Sequence, residues 1–572
     1  MKIKHYFGLA VIAAMTASCS SNEDLGTAGP GTSTNEAGVG YATFSINLPT
    51  TSGTRADGDP TFDKGDDNEY KVNDATLLIF KKGEEATKEG DYTFVEKAEL
   101  GSMAPWKDPS ETGVTTHAKI TAKLEQVDKT GNFFALVLLN NGTGTNAKVA
   151  MPSEGEKFSS WNAKTTDKFA KPENGFYMAN APLFKDNNVT TLVAIDKDKI
   201  YPTEEQAAKS AATDVYVERG LAKVTLGTGT TTKKTVADGA YKDDEVTISN
   251  WALDVTNKKT FPIHNVDGLS TVYDKIWSNT DTQAGSNGAT TQRFVDNNAD
   301  TKAKRVYWGK DPNYDNTDDD KTALNEEFNN VANANVKEDP AKPLYCLENT
   351  FNLANMKQGQ TTRVVFKATY KPASLPEGET TFYKIGKNTA IWSKTDLEDE
   401  IKAAVASVVP GATVGNTTVD LAAAGNKITE AGTHYIESAN ITVKISETEI
   451  ATITPENITA INTQLGLNKV KKVGISTYAG GESYYIARIK HFGDALTKWV
   501  SGPYGENNLE YLGRYGVLRN NWYELTVQSV SGPGYPSVPE VKPNTPDDED
   551  DKYINVSVKI LSWAKRSQDV DL

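Results

Sequence analysis

From Ile554 onward the chain alternates. Ile554, Val556, Val558 and Ile560 fall on one side of an extended backbone, and Asn555, Ser557 and Lys559 on the other. Period two with β-branched residues on the apolar side is the pattern of a half-buried strand. The stretch before it, Ser531–Asp551, holds Pro533, Pro536, Pro539, Pro543 and Pro546 and ends in the acidic run Asp547–Asp551. Such a segment reads as a stiff, solvated spacer with no core of its own. A strand on such a spacer must find a pairing partner, in its own domain or in another molecule.

A second isolated stretch has the same alternation. Tyr41–Leu48 places Ala42, Phe44, Ile46 and Leu48 on one face and Tyr41, Thr43, Ser45 and Asn47 on the other. A Gly/Thr/Ser-rich linker, Leu25–Gly40, precedes it, and a polar, Gly-containing loop, Thr50–Pro60, follows. Arg55 sits in that loop. No arginine comes before it and none follows until Arg219, although lysines are frequent. A single arginine in such a region offers one cut to an Arg-specific protease; a chance of composition is the alternative reading.

Near the N-terminus, Lys2 and Lys4 precede an apolar run, Tyr6–Met15, and then Thr16-Ala17-Ser18-Cys19. This is the order of a secretory signal with a lipoprotein-type cleavage site, which would leave Cys19 as the acylated first residue; an ordinary signal peptide with an incidental cysteine is the alternative. The run is too short to span a bilayer. With Cys19 acylated, the second cysteine, Cys346, has no partner for an intrachain disulfide. The setting of Cys346 in Leu344–Leu347 predicts a buried, inert thiol.

At 572 residues the chain exceeds one core, and its 24 Tyr, 18 Phe and 9 Trp with abundant Gly, Thr and Asn favour an all-β, loop-rich fold. The net charge of −15 argues against nucleic acid or an anionic membrane surface as partner. Strands are expected at Asp74–Lys81, His117–Leu124, Asn132–Asn140 and Thr190–Asp196, with Thr203–Ser210 a short helix or connector. A fresh series begins at Asp214–Leu226, so the domain boundary is expected at residue 214. It continues through Glu245–Val255, Leu344–Phe351, Thr361–Tyr370, Tyr484–Lys490 and Asn521–Val530. Leu397–Val408 has helical spacing. Asp311, Asn313 and Asp315 alternate oxygen ligands as a calcium loop does. The glycine and glutamate such a loop needs are replaced by Asn316 and Thr322, so a solvated acidic loop is the default. No nucleophile, metal-protease or redox motif occurs, no cofactor is implied, and the chain is not expected to be an enzyme.

Together these pieces resemble the Bacteroidales fimbrillins, or type V pilins, of the Mfa-type major-subunit branch. The resemblance rests on the Cys19 lipobox with its acidic Ser20–Asp24, the 41–48 strand, the Thr54-Arg55-Ala56 loop, Tyr307–Tyr314, Tyr345–Asn349, Arg519–Leu525, and the spacer leading to Tyr553–Leu572 with Trp563. The long segments Ser278–Asn335 and Lys394–Thr463 fit it least. The resemblance implies two tandem transthyretin-like β-sandwiches flanked by a lipoprotein propeptide and a C-terminal donor strand. The parts are a signal peptide (1–18), a propeptide with the removable strand (19–55), domains at 56–213 and 214–530, a spacer (531–552) and the donor strand (553–572). It implies an outer-membrane lipoprotein precursor, palmitoylated at Cys19 and cut between Arg55 and Ala56 by an Arg-specific surface protease. Cleavage frees strand 41–48, and Ile554, Val556, Val558, Ile560 and Trp563 of another copy, or of an accessory subunit, take its place. The membrane is touched only through the precursor lipid, and the product is a surface fimbria serving adhesion or biofilm formation. A tip adhesin, or a non-polymerising, glycan-binding surface lipoprotein with its last strand tucked into its own domain, are the alternatives.

Overall fold

The structure is a computed structural model that describes residues 34–35, 38–49, 69, 71–101, 114–127, 130–170, 175–185, 188–269, 294, 304–492, 511–547 and 554–561. The signal segment, Cys19, the whole cleavage loop Thr50–Pro60 with Arg55 and Ala56, and Trp563 lie outside these residues.

The N-terminal domain is built on one continuous eight-stranded sheet. Its strands are β1 (Gly40–Pro49), β2 (Ala75–Lys82), β3 (Thr93–Gly101), β4 (Val114–Leu124), β5 (Asn132–Leu139), β6 (Met178–Asn180) and β7 (Thr213–Arg219), in the order β3-β2-β5-β6-β7-β1-β4, with Val193–Ala194 alongside β5. β5 is buried from Phe133 to Leu139 apart from a half-buried Phe134, as its apolar sequence requires of a central strand. A short helix, α1 (Glu204–Lys209), is capped by Thr203, whose hydroxyl accepts from the Gln206 amide.

The boundary expected at residue 214 falls later. β7 pairs with β6 and β1, and Val215, Val217 and Leu221 belong to the N-terminal core. The chain passes to the second domain at Gly220, where a Cβ would stand 2.8 Å from the Phe169 ring. The sequence 214–226 reads as one strand because alternation continues across that glycine.

The C-terminal domain packs two four-stranded sheets. One runs β10-β8-β13-β14, from β8 (Ala222–Leu226), β10 (Leu344–Cys346), β13 (Trp522–Val530) and β14 (Ile554–Leu561). The other joins Lys234–Thr235 to β9 (Glu245–Asp254), β11 (Arg363–Lys371) and β12 (Glu482–Arg488). Their facing side chains, among them Trp251, Phe366, Tyr485, Tyr523 and Leu525, form one apolar cluster. Cys346 belongs to it, and burial pushes its thiol up to about 12.

A third core was not anticipated as such. Helices α2 (Lys394–Val408) and α3 (Pro455–Gln464) pack with Ile385, Val419, Ile436, Val443 and Ile475 into a separate cluster. α2 confirms the helical spacing and is capped by Ser393, whose hydroxyl accepts from the Asp396 amide at 3.1 Å. The Gly386 amide donates to the Gly474 carbonyl at 2.9 Å, so this insert leaves and rejoins the domain at nearly one point.

Candidate functional site: two strands with one pattern

β1 is a central strand. It pairs antiparallel with β4 from Gly40↔Leu124 to Leu48↔Thr116, and parallel with β7 from Phe44↔Thr213 to Asn47↔Tyr216. Ala42, Phe44 and Ile46 are each at most 3% exposed and lie in the N-terminal core, as their alternation requires. The side chain of Leu48 is outside the described residues. The other face is covered too: the Thr43 hydroxyl donates to the Ala207 carbonyl of α1 at 2.8 Å and lies 2.9 Å from the Thr121 hydroxyl. Removing β1 would therefore leave a slot bordered by two unpaired backbone edges and floored by apolar side chains. Its last residue, Pro49, leads into the segment that contains Arg55.

β14 carries the matching pattern in a different setting. Among the described residues it is an edge strand, paired antiparallel with β13 alone, in the register Val530↔Ile554, Val527↔Val556, Leu525↔Val558 and Tyr523↔Ile560. Val556 is 6% exposed and reaches the C-terminal core. In this structure the strand is thus parked on its own domain, and the four apolar positions have the same parity as Val556.

The solvated spacer is a correction. Residues 531–547 form a strap bonded along the C-terminal domain. Tyr535 exchanges two 2.8 Å backbone bonds with Tyr484, Arg363 donates to the Pro539 carbonyl at 2.6 Å, and the Gln358 amide donates to the Thr545 carbonyl at 2.9 Å. Arg363 is held in turn by a buried 2.8 Å pair with Asp254. Lys321 and Lys472 both bond Glu540, at 2.6 and 2.8 Å, and hold its carboxyl down at about 2. Asp547, the first residue of the acidic run, is fully buried; its amide donates to the Met356 carbonyl and its carboxylate accepts from Thr361. The proline pattern could not show this, because every partner is distant in sequence.

Sequence reasoning also missed Glu69. It lies between the Arg55 loop and β2, is 1% exposed, and forms a 2.7 Å ion pair with Lys223 of β8. Its carboxylate also accepts from the Tyr345 hydroxyl at 2.5 Å, and Arg219 Nε donates to its carbonyl at 2.8 Å. The Lys223 ammonium stands 4.0 Å from the Trp522 ring centre. The chain beyond the loop is therefore fastened at the domain junction independently of β1.

The remaining candidates are structural. The Asp311 carboxylate accepts from the amides of Asn313 (2.6 Å) and Thr350 (2.5 Å), and Asp315 accepts from Asn352 at 2.8 Å, so two of the three oxygen donors are already engaged within the fold. Among the described residues no three His, Cys, Asp or Glu side chains are grouped to hold a metal. A cleft of about 770 Å³ at the domain junction is lined by Lys148, Lys164, Lys168, Lys258 and Lys259. All but Lys259 are bonded to carbonyl groups or to Glu156.

Residues 476–569, which span β12, β13, the strap and β14, match the family model of the major fimbrial subunit protein type IV, Fimbrillin, C-terminal. The match covers 94 of the 572 residues, so the likeness to the fimbrillins is one of this C-terminal region. No curated protein matches it. Three solved structures are similar to this chain at low identity. A candidate cell adhesion protein from Parabacteroides distasonis ATCC 8503 is 10% identical, with 92% of this chain and 98% of that one covered and a TM-score of 0.36. Another from Bacteroides eggerthii DSM 20697 is 12% identical, with 91% and 96% covered and a TM-score of 0.34. A fimbrial assembly protein from P. distasonis ATCC 8503 is 12% identical, with 61% and 93% covered and a TM-score of 0.27.

Proposed function

We propose that this chain is a structural subunit of a cell-surface fimbria, of the Mfa-type branch, that polymerises by strand exchange. It is exported as a lipoprotein precursor through Cys19 and cut between Arg55 and Ala56 by an Arg-specific protease; β1 then leaves, and β14 of the next copy fills the slot. The observation that carries this reading is the contrast between the two strands. The slot strand is followed within a few residues by the region's one arginine, and the edge strand with the same parity is held on one side only. Strand addition suits such a slot, since main-chain bonds supply affinity and alternate side chains supply the fit. The contact is head-to-tail and does not close, so it extends into a filament.

Treating the purified precursor with an Arg-specific protease should produce polymers, and R55A should stay a folded monomer. Polymerisation of R55A at the wild-type rate would sink the processing step.

One observation favours the non-polymerising lipoprotein: β14 is docked on its own domain. That reading expects V556D to destabilise the monomer with no assembly to lose, whereas strand exchange expects V556D to block assembly of processed subunits. The exposed aromatic row that a glycan-binding face would favour is not formed by Trp251, which is fully buried, or Trp392, which is half-buried.

A further inference from the structure

The strap sets how far a donor strand can travel. Peeling residues 531–547 away would expose Ala252, Val365, Tyr484 and Ile486, against which Tyr535 and Val538 pack. It would also strip Pro539 from the buried Arg363–Asp254 pair and bring buried Asp547 into water. Peeling would thus give up an apolar contact, several backbone bonds, the Pro539 acceptor of buried Arg363 and both Glu540 ion pairs together. β14, by contrast, can leave β13 and give up one ladder and the contact of Val556.

We infer that the strap stays fastened during assembly, and that the surface around Asp547 is the contact face for a second copy of this chain. The inference rests on the strand-exchange reading above. Six residues, 548–553, separate Asp547 from Ile554. Seven Cα–Cα steps reach at most about 25 Å. The mouth of the neighbour's slot must therefore lie within that radius of Asp547, and two folded domains brought so close touch. The face at the anchor is formed by Ala354, Lys357, Asn544 and Pro546, next to the Met356–Asp547 and Lys357–Pro546 backbone contacts. The occupant is the N-terminal domain of the next subunit, because that is where the vacated slot lies.

The strap can be locked for a test. A Cβ built at Gly359 stands 3.5 Å from the Pro543 Cβ, at the short end of the separation a disulfide spans. It also stands 3.0 Å from the Pro543 Cα and 2.8 Å from Leu324 Cδ1, so the Leu324 side chain and the strap backbone must give slightly to admit it. The full-length G359C/P543C precursor, oxidised and then processed by the Arg-specific protease, should polymerise within about twofold of its reduced form, because the leash is untouched. If oxidation stops assembly and dithiothreitol restores it, the strap must peel and the inference is overturned. The complementary variant deletes residues 548–551, removing about 13 Å of reach, while a control replaces them with four Gly/Ser residues. The deletion should slow assembly by about tenfold or more and the replacement should not, since a tether that cannot span its sites contributes almost no effective concentration. Wild-type assembly by the deletion variant would show that slack comes from the strap and would overturn the inference. A wild-type precursor that never polymerises after cleavage would instead refute strand exchange itself.

Discussion

Phe44→Ala separates the precursor from the processed subunit. Phe44 is fully buried at the centre of β1, within the cluster that holds Phe80, Leu136 and Val215. Truncating a buried phenylalanine to alanine costs about 3–5 kcal/mol, through lost transfer free energy and the cavity left behind. For a domain of this size, each kcal/mol shifts the midpoint by roughly 2–4 °C. The precursor's N-terminal domain should therefore melt ~6–20 °C lower than wild type, as followed by scanning calorimetry of the uncut protein. On the strand-exchange proposal β1 is gone from the processed polymer and another copy's β14 fills the slot, so the same substitution should leave the melting of the polymer unchanged. The refuting result is a polymer of F44A that melts as far below wild type as the precursor does. That outcome would mean that β1 stays in its slot after cleavage and that assembly uses some other contact.

Two other perturbations probe parts of the fold away from the slot. Burial raises the Asp311 carboxyl from 3.8 to about 7 despite its two backbone donors, so between those values the folded state keeps a proton that the unfolded state has lost. Stability contributed by this group is full below about pH 4 and declines as pH rises to about 7; D311N should flatten that part of the stability–pH profile in thermal melts. Replacing residues 387–473 by a two-residue Gly-containing turn should leave processing and assembly intact, because the insert has its own core and its ends meet at the Gly386–Gly474 bond. Loss of the folded C-terminal domain, read by limited proteolysis, would show that the insert is integral to it.

Where a local pattern meets a local consequence, the sequence was a sufficient guide. The parity of Ala42, Phe44 and Ile46 is the parity of the core, and the spacing of Leu397, Ile401, Ala404 and Val405 is the buried face of α2. β3 escaped notice because Glu96, Lys97 and Glu99 interrupt its apolar residues. α3 had readable signals, Pro455 in the first turn and a Thr454–Asn457 capping box, but little apolar content to draw attention to it. Ownership of β7 was beyond a local reading, since alternation says that a strand exists and not which sheet takes it. The strap was misjudged for a related reason. Proline and aspartate exclude a core within a segment, yet they do not prevent the segment from lying along another domain's core. Its fasteners, Arg363, Lys321, Lys472 and Thr361, come from as much as 219 residues away.

The two strands compete for different numbers of partners, and this makes strand exchange testable without a fibre. β1 has a strand ladder on both sides from Phe44 to Asn47 and on one side along the rest, whereas β14 has one ladder among the described residues. Each net backbone bond contributes about 0.5–1.5 kcal/mol, so a β14-like strand gains a second ladder by moving from its parking place into an emptied slot. While β1 occupies the slot, that gain is out of reach, so on the strand-exchange proposal cleavage would act by removing the resident rather than by creating a new site. A peptide spanning residues 553–561, added to a subunit truncated after residue 552, should bind one-to-one once Arg55 has been cut and β1 has dissociated. It should bind negligibly before the cut, and a peptide with Val556→Asp should fail in both cases. Titration calorimetry distinguishes these states. Equal binding before and after cleavage would place the peptide on the vacant edge of β13, and the N-terminal slot would then have no role in joining subunits.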